Sequence, residues 1–312
     1  MPYLENKKIL VTGGSGFLGQ NLISKLSKIN CEKIYFPRRK DYDLLKIEDI
    51  KKLLSDLKPD IVIHLAAVVG GIGANSLYPA KFFYENAIMG LQLFHESYIK
   101  NIDKFVTIGT ICSYPANTKT PFKEKDLWNG YPEVTNAPYG IAKKILSIQS
   151  STYKKEYGFN SIYLMPVNMY GPHDNFDEKS SHVIPAIIKK VYEAKNSDSK
   201  EIILWGDGTP TREFIFVEDV ADAIILATEN LNDCDPVNIG TGKNISIKNL
   251  AHLICKIIDY KGKIIWDKTK PNGQEERQLD VTEAKNKFNF EYNTDLEVGL
   301  RKTIKWYEKN YL

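Results

Sequence analysis

Residues 7–19 read KKILVTGGSGFLG, and this stretch decides the fold. It opens with a short apolar run rich in β-branched residues, and the segment after it has apolar residues at helical spacing. Between the two, Gly13, Gly16 and Gly19 follow the pattern GxxGxxG. Glycines at such a turn let the backbone approach a diphosphate at the positive end of a helix. The stretch therefore predicts the first βα unit of a dinucleotide-binding sheet rather than a plain glycine turn.

The alternation of strand and helix continues through the first half of the chain. The predicted strands lie at 33–36, 60–67, 104–109 and 160–172, and the predicted helices lie at 17–29, 79–100 and 139–158. Continuous apolar strands separated by helices are typical of a parallel sheet that is covered on both faces. We therefore expect an α/β fold with a doubly wound parallel sheet of the Rossmann type.

The pattern becomes less regular after about residue 170, where shorter strands and helices alternate to the end of the chain. We expect residues 1–170 to form the nucleotide-binding domain, joined by a returning strand and helix near 212–240. Residues 171–312 would form a smaller α/β lobe that binds substrate. No stretch rich in glycine, serine or proline separates the two parts.

Composition and charge argue against several classes of protein. The chain has 312 residues, of which 43% are hydrophobic, and its 42 basic and 39 acidic residues give no basic footprint for nucleic acid. No apolar run approaches the roughly 18 residues of a membrane span, and the N-terminus resembles no signal peptide. The four cysteines have neither metal-ligand spacing nor a disulfide pattern. We expect a cytoplasmic protein with reduced thiols, no metal and no membrane partner.

Two further patterns concern cofactor and catalysis. Arg38 and Arg39 follow the second strand, where an NAD site usually has an acid, so the sequence predicts NADP(H); a solvated charge run is the structural alternative.

Tyr139 and Lys143 stand four residues apart, one turn apart on one helix face. We expect the ammonium to lower the pKa of the phenol. Downstream of the glycine turn, with Thr110 ending the fourth strand, this pair indicates a reductase.

These motifs resemble those of the extended short-chain dehydrogenase/reductase family, and more narrowly its GDP-L-fucose synthase group. The glycine turn, ENAIMGLQL (85–93) and NIGTGKNISI (238–247) are common to many extended members. The segments AAVVGGIGAN (66–75), GPHDNF (171–176) with SHVIPA (181–186), and WGDGTPTREF (205–214) are much more specific to that group. The resemblance runs along the whole chain.

The resemblance implies an activity and a set of residues. The activity is NADPH-dependent 3,5-epimerisation and 4-reduction of a GDP-4-keto-6-deoxy sugar that feeds surface polysaccharide synthesis. Relatives reduce with a serine or threonine, a tyrosine and a lysine, and epimerise with a cysteine and a histidine. The corresponding catalytic residues are Thr110, Cys112, Tyr139, Lys143 and His182. Cys112 would be the base and His182 the acid, since a thiol pKa near 8.5 and an imidazole pKa near 6.5 bracket neutral pH.

The resemblance also assigns the binding residues. The contacts to NADP(H) are Gly13, Gly16, Phe17, Leu18, Gly19, Arg38, Arg39, Leu65, Ala66, Ala67, Ile108, Tyr139, Lys143, Pro166, Asn168, Met169 and His182. The contacts to the GDP-sugar are Asn168, Val183, Lys190, Trp205 and Arg212. Core packing is the structural alternative for Trp205 and for Cys112. A homodimer is expected through a four-helix interface that uses the helices at 79–100 and 139–158.

One departure from the family pattern leaves the sugar open. Glu276 stands where a basic residue is common, and Arg277 follows it. The alternatives are a reductase that acts only at C4 of a related GDP-4-keto sugar such as a heptose, and an NAD-dependent nucleotide-sugar 4-epimerase. A non-catalytic NADP-binding protein is the third, but it has no need of the Tyr139/Lys143 pair.

Overall fold

The computed structural model describes residues 3–177, 180–270 and 272–312, and its first lobe is built on a six-stranded parallel sheet. The strands are β1 (Lys8–Thr12), β2 (Lys33–Tyr35), β3 (Ile61–His64), β4 (Lys104–Ile108), β5 (Ser161–Pro166) and, from later in the chain, β9 (Pro236–Ile239), in the order β2-β1-β3-β4-β5-β9. The chain order reverses between β1 and β3. Ligands of open α/β sheets bind at the carboxyl ends of the strands at such a switch point.

Helices cover both faces of this sheet. They are α1 (Phe17–Leu26), α2 (Ile47–Leu57), the short α3 (Ile72–Leu77), α4 (Pro79–Ile99), α5 (Ala137–Tyr157) and α7 (Val217–Asn230). Side chains of successive strand residues point to opposite faces. Ile9 and Val11 of β1 accordingly pack in one core with α1 and α7, and Leu10 packs in another with α2 and α4. The predicted doubly wound α/β fold is therefore confirmed.

The second lobe contains smaller sheets and the remaining helices. Its strands are β6 (Asn168–Tyr170), β7 (Glu201–Trp205), β8 (Thr211–Phe216), β10 (Asn244–Ser246), β11 (Lys263–Asp267) and β12 (Glu276–Arg277), and its helices are α6 (Val183–Asn196), α8 (Ile247–Ile258) and α10 (Leu296–Tyr311). Helix α9 (Thr282–Phe288) instead packs on α7 and β9 in the core of the first sheet. β8 pairs with β6, β10 and β12, and β7 pairs with β11. The segment of α7 and β9 returns to the first sheet, where Lys25 of α1 forms a 2.7 Å salt bridge with Asp222 of α7.

Two details differ from the sequence-based expectation. The single strand predicted at 160–172 is wrong: Val167 N still donates to Ile239 O in the first sheet, and β6 then pairs with β8 in the second lobe. The apolar run hides this break because Leu164 and Met165 are buried in the core of the first sheet and Tyr170 in that of the second lobe. Helix α2 was not predicted, although Ile50, Leu53 and Leu54 have helical spacing and are buried. Within the described residues, no helix has the length and apolarity to cross a membrane.

Candidate active site

The glycine turn forms a cradle at the carboxyl end of β1. Gly13 has φ +70°, which favours glycine, and a Cβ there would lie 2.7 Å from the backbone nitrogen of Ala66. Gly16 N donates to Gly13 O at 2.9 Å and occupies the N-cap of α1, where it supplies no capping side chain. The first turn of α1 contains no acidic residue. This bare, positive helix end fits the diphosphate of a dinucleotide.

The loop after β3 forms the neighbouring wall of the cradle. Leu65 N donates to Thr12 O at 3.1 Å, and Ala66 N donates to Thr12 Oγ1 at 3.3 Å. That hydroxyl also hydrogen-bonds His64 Nδ1 at 2.8 Å. Burial, with a smaller effect from the positive charge of Lys143, lowers the pKa of His64 to about 3, so the ring is neutral. His64 therefore acts in the structure as a buried core residue that supports the loop.

The continuation of this loop joins the first lobe to the second. The side-chain amide of Asn86 in α4 binds both backbone groups of Val68: Val68 N donates to Asn86 Oδ1 and Asn86 Nδ2 donates to Val68 O, each at 2.9 Å. The amide of Asn75 donates to the carbonyl of Gly71 at 3.1 Å. Gly71 N in turn donates to Ser180 O at 3.4 Å, just before α6. The loop of residues 66–75 therefore lies against the segment that leads into His182.

The two arginines predicted to bind NADP(H), Arg38 and Arg39, lie on the exposed loop after β2. Arg39 forms salt bridges with Asp43 at 3.3 Å and, more weakly, with Glu85 at 3.9 Å. The backbone nitrogen of Arg38 donates to the carboxylate of Asp41 at 3.2 Å, and its side chain is exposed. Acidic neighbours thus occupy Arg39, whereas the guanidinium of Arg38 stays accessible.

The loop after β4 carries two of the predicted catalytic residues. Thr110 caps the 3-10 turn of Ile111–Ser113, and its hydroxyl accepts a hydrogen bond from Cys112 N at 3.2 Å. Ser113 Oγ donates to Gly140 O at 2.9 Å. A Cβ at position 140 would collide with the carbonyl of Cys112. Because residue 140 is glycine, α5 packs directly on this loop and brings Tyr139 beside Cys112.

Tyr139 and Lys143 lie one turn apart at the start of α5, as predicted from their spacing. Lys143 is 2% exposed, and burial lowers its pKa to about 8. Tyr163 OH donates to Lys143 O at 2.9 Å and fixes this turn of the helix against β5. Burial raises the pKa of Tyr139, and Cys112 and Tyr163 raise it further. Lys143 is not among the groups that shift the pKa of Tyr139, and desolvation, the largest effect, raises it, so the expectation that Lys143 lowers this pKa is wrong.

Arg277, which the sequence did not predict as a site residue, lies against Cys112. Arg277 Nη1 donates to Cys112 Sγ at 3.5 Å. Arg277 pairs in register with Arg212 across β12 and β8. Burial and the neighbouring charge of Arg277 lower the pKa of Arg212 to about 10, and Cys112 opposes that shift. The only signal in the sequence was the unusual stretch NGQEERQLD (272–280), in which Arg277 follows Glu276.

His182 stands at the N-cap of α6 on the lobe opposite the glycine turn. Protein atoms crowd its imidazole enough to lower the pKa by desolvation, although the residue as a whole remains exposed. A Cβ on Gly71 would lie 3.2 Å from Ser181 O, so the loop of residues 66–75 closely approaches the backbone just before His182. Within the described residues, no hydrogen bond joins His182 to Thr110, Cys112, Tyr139 or Lys143.

The residues predicted to bind the GDP-sugar lie in the second lobe. Trp205, at the end of β7, is 58% exposed, which excludes core packing. Lys190 Nζ of α6 donates to Ile203 O at 2.9 Å, and Val183 packs on the core of this lobe. Asn168 Nδ2 donates to Glu213 O at 2.9 Å and so fixes β6 to β8. The predicted cofactor contacts Ile108, Pro166 and Met169 lie at the carboxyl ends of β4 and β5 and in β6, and Phe17 and Leu18 open α1.

Two other polar clusters lie near or outside this arrangement. The carboxylate of Glu213 is buried and accepts hydrogen bonds from Gly242 N at 2.8 Å and Leu279 N at 2.7 Å. It therefore holds the loops that flank β9 and β12. In the described residues, Asp233, Cys234 and Asp235 are near enough to one another to ligate a metal. They precede β9, so they lie at the opposite edge of the parallel sheet from the glycine turn.

Comparison with known proteins gives consistent matches over the chain. Residues 9–240 match the NAD dependent epimerase/dehydratase family. A GDP-L-fucose synthase of Sinorhizobium fredii is 40% identical over 310 residues, which cover 99% of this chain and 98% of that protein. A C. jejuni GDP-6-OMe-4-keto-L-xylo-heptose reductase has a TM-score of 0.92 at 28% identity, with 99% of each chain covered. A GDP-L-fucose synthetase from Naegleria fowleri bound to NADP has a TM-score of 0.90 at 26% identity, with 100% of this chain and 97% of that chain covered.

Proposed function

Because the chain belongs to the NAD-dependent epimerase/dehydratase family, the extended short-chain dehydrogenase/reductases, we propose that it epimerises C3 and C5 and reduces C4 of a GDP-4-keto-6-deoxy sugar with NADPH. The 40% identity to a GDP-L-fucose synthase over nearly the whole of both chains supports this activity. The observation that carries it is the contact of α5 with the loop after β4. That contact brings Tyr139, on the helix that also carries Lys143, beside the loop of Thr110 and Cys112 after β4.

The cofactor is NADP(H), which supplies a hydride for C4 of the sugar when it is bound. The diphosphate would lie on Gly13, Gly16 and the bare start of α1. Arg38 has an accessible guanidinium for the 2′-phosphate. The loop 65–67 would line the adenosine side, and Lys143 would hold the nicotinamide ribose. An NADP-bound structural neighbour with a TM-score of 0.90 supports this choice of cofactor.

The epimerisations need an acid and a base on opposite faces of the sugar. The C4 ketone acidifies the protons on C3 and C5, so a base can remove one and leave an enolate. Cys112 takes that proton as its thiolate becomes a thiol, and His182 returns a proton to the other face. Thr110 and Tyr139 donate hydrogen bonds to the C4 oxygen, where negative charge develops. Reprotonation from the opposite face inverts the carbon.

The reduction needs one further proton at the C4 oxygen. Burial raises the pKa of Tyr139, so the phenol is protonated at neutral pH and donates that proton as the alcohol forms. Lys143 is buried one turn further along α5. Its pKa of about 8 lets the ammonium release a proton near neutral pH and so relay one to the site. Tyr139 therefore serves both as hydrogen-bond donor in the epimerisations and as acid in the reduction.

The nucleotide part of the substrate would bind the second lobe. We assign residues 1–170, with the returning segment near 212–240, to cofactor binding and residues 171–312 to the GDP-sugar. The exposed face of Trp205 offers a surface on which a base can stack. Lys190 and Arg212 supply positive charge for the diphosphate, and Val183 and Asn168 border the sugar.

The proposal also covers the oligomeric state of the enzyme and its cellular location. We propose a homodimer through α4 and α5, which pack on each other in the first lobe and leave Phe83 and Ile148 exposed. Apolar side chains at such a face are typical of protein contacts. A cytoplasmic setting and a product used in surface polysaccharide complete the proposal.

A second candidate is reduction at C4 alone on a related GDP-4-keto heptose. The structural likeness to a heptose reductase favours it. So does Glu276, whose carboxylate accepts hydrogen bonds from Thr120 Oγ1 at 2.6 Å and Asn244 Nδ2 at 2.8 Å, close to Arg277 and the site. An NAD-dependent 4-epimerase is less favoured, because Arg38 remains accessible after β2.

The deciding experiment is NMR of the product formed from GDP-4-keto-6-deoxymannose and NADPH in D₂O. The proposal expects deuterium at both C3 and C5 with inverted stereochemistry, and a reduced C4. Cys112→Ser should lose the label and the inversion, and Tyr139→Phe should abolish reduction. Reduced product with neither position labelled would refute the double epimerisation and select the C4 reductase, to be tested next on the heptose.

A further inference from the structure

The charge around Cys112 is unusually one-sided. Arg277 touches the thiol sulfur at 3.5 Å from β12, and Arg212 lies beside Arg277 on β8. In the described part of the chain, the hydrogen bonds of these guanidiniums go to Gln274, to Thr211 O and to the thiol, and none goes to a carboxylate. Two positive charges therefore converge on one group that is able to become negative.

The guanidinium of Arg277 is held in place rather than swinging free. Its Nε donates to the side-chain oxygen of Gln274, and Gln274 Nε2 donates to Ala116 O at 2.9 Å. Ala116 follows Cys112 by four residues on the same loop. The loop that carries the thiol thus helps to fix the arginine that faces it, so the N–H to sulfur contact is built into the fold.

We propose that Arg277 is a positioning residue for Cys112: its guanidinium contacts the sulfur and holds it in place as the group that removes a proton from the sugar. This inference rests on the role of Cys112 in the proposed function. A cation in contact with a thiol favours the thiolate, which is the form that acts as a base. The phenol of Tyr139 on α5 also faces the thiol, and burial raises the pKa of Tyr139, so it adds no competing negative charge.

The test uses the free protein and needs no sugar. Alkylation of Cys112 by uncharged iodoacetamide is followed against pH, because only the thiolate displaces iodide. Peptide mass spectrometry separates Cys112 from Cys31, Cys234 and Cys255. Arg277→Gln should slow the alkylation of Cys112 at pH 7 about tenfold, because the cation that contacts the sulfur is lost. Arg277→Lys keeps the charge and should restore most of the rate.

Two further variants keep the result interpretable. Arg301→Gln removes an exposed arginine that is salt-bridged to Glu297 on α10, and it should leave the Cys112 profile unchanged. Gln274→Leu keeps Arg277 but frees its Nε, and it should slow the alkylation of Cys112 by less. If Arg277→Gln and Gln274→Leu both fold and Cys112 in both is alkylated at the wild-type rate, the inference is wrong. That outcome is independent of which sugar the enzyme uses, since no substrate is present.

Discussion

Gly140→Ala tests whether the close approach of α5 to the catalytic loop is needed for activity. A Cβ at position 140 would collide with the carbonyl oxygen of Cys112 and lie 2.9 Å from its carbonyl carbon. Both contacts are to backbone, which has no flexible end to swing aside. To bring that Cβ to an ordinary contact of about 3.4 Å with the carbonyl oxygen, the helix and the loop must separate by roughly 1 Å.

The magnitude follows from two opposing effects. Overpacking costs about 1–3 kcal/mol, and replacing glycine by alanine inside a helix returns about 1 kcal/mol. We expect a net loss near 1 kcal/mol, seen as a fall in Tm of about 2–4 °C. A misplacement of about 1 Å costs roughly 10²-fold in rate, so this shift should slow C3 and C5 exchange by about that factor.

The assay follows deuterium incorporation into the sugar, with NADPH binding and thermal unfolding measured in parallel. NADPH binding should change little, because the glycine turn of β1 is untouched. Gly73→Ala is the matched control for stability: it is also a helical glycine, but a Cβ there meets nothing within 4 Å. Wild-type exchange and stability in Gly140→Ala would refute the argument that the contact between α5 and Cys112 builds the site.

Three further predictions address the cofactor and the buried charges. Arg38→Ala should raise the KM for NADPH about tenfold without affecting NADH, whereas Arg39→Ala should have a smaller effect because Arg39 is already salt-bridged; steady-state kinetics with both cofactors would contradict this if the two variants were equal. Lys143→Met should abolish reduction but stabilise the fold by up to about 3 kcal/mol at pH 7, since the folded pKa of Lys143, about 8, lies below its unfolded value. The gain in stability should shrink between pH 8 and about 10.5, and a difference in denaturation midpoints that stays constant over this range would contradict the prediction. Asp174→Asn should stabilise the protein more at pH 8 than at pH 5, and the two gains in unfolding free energy should differ by about 2–4 kcal/mol. Burial raises the pKa of Asp174 to about 7, so the wild type loses stability as the pH rises from about 4 to 7; equal gains at both pH values would disprove the prediction.

Local patterns in the sequence predicted much of the architecture. The strands and helices of the first sheet follow from apolar runs and helical spacing, and the structure confirms the doubly wound α/β fold. The missed helix α2 had the required pattern, with apolar residues on one face and Glu48 and Asp49 in its first turn. The strand predicted at 160–172 failed for another reason: hydrophobicity records that both halves are buried, but not that β5 and β6 belong to different sheets.

The sequence by itself determined the glycine turn, the Tyr139/Lys143 spacing and the loop that carries Cys112, because each depends on residues a few positions apart. The tertiary structure alone decided what surrounds them. Arg277 reaches Cys112 across 165 residues of chain, and Gly140 sets how closely α5 packs on the catalytic loop. The pKa of Tyr139 rises because the phenol is buried. Desolvation and long-range contacts depend on how whole elements pack, which the spacing of residues along the chain does not record.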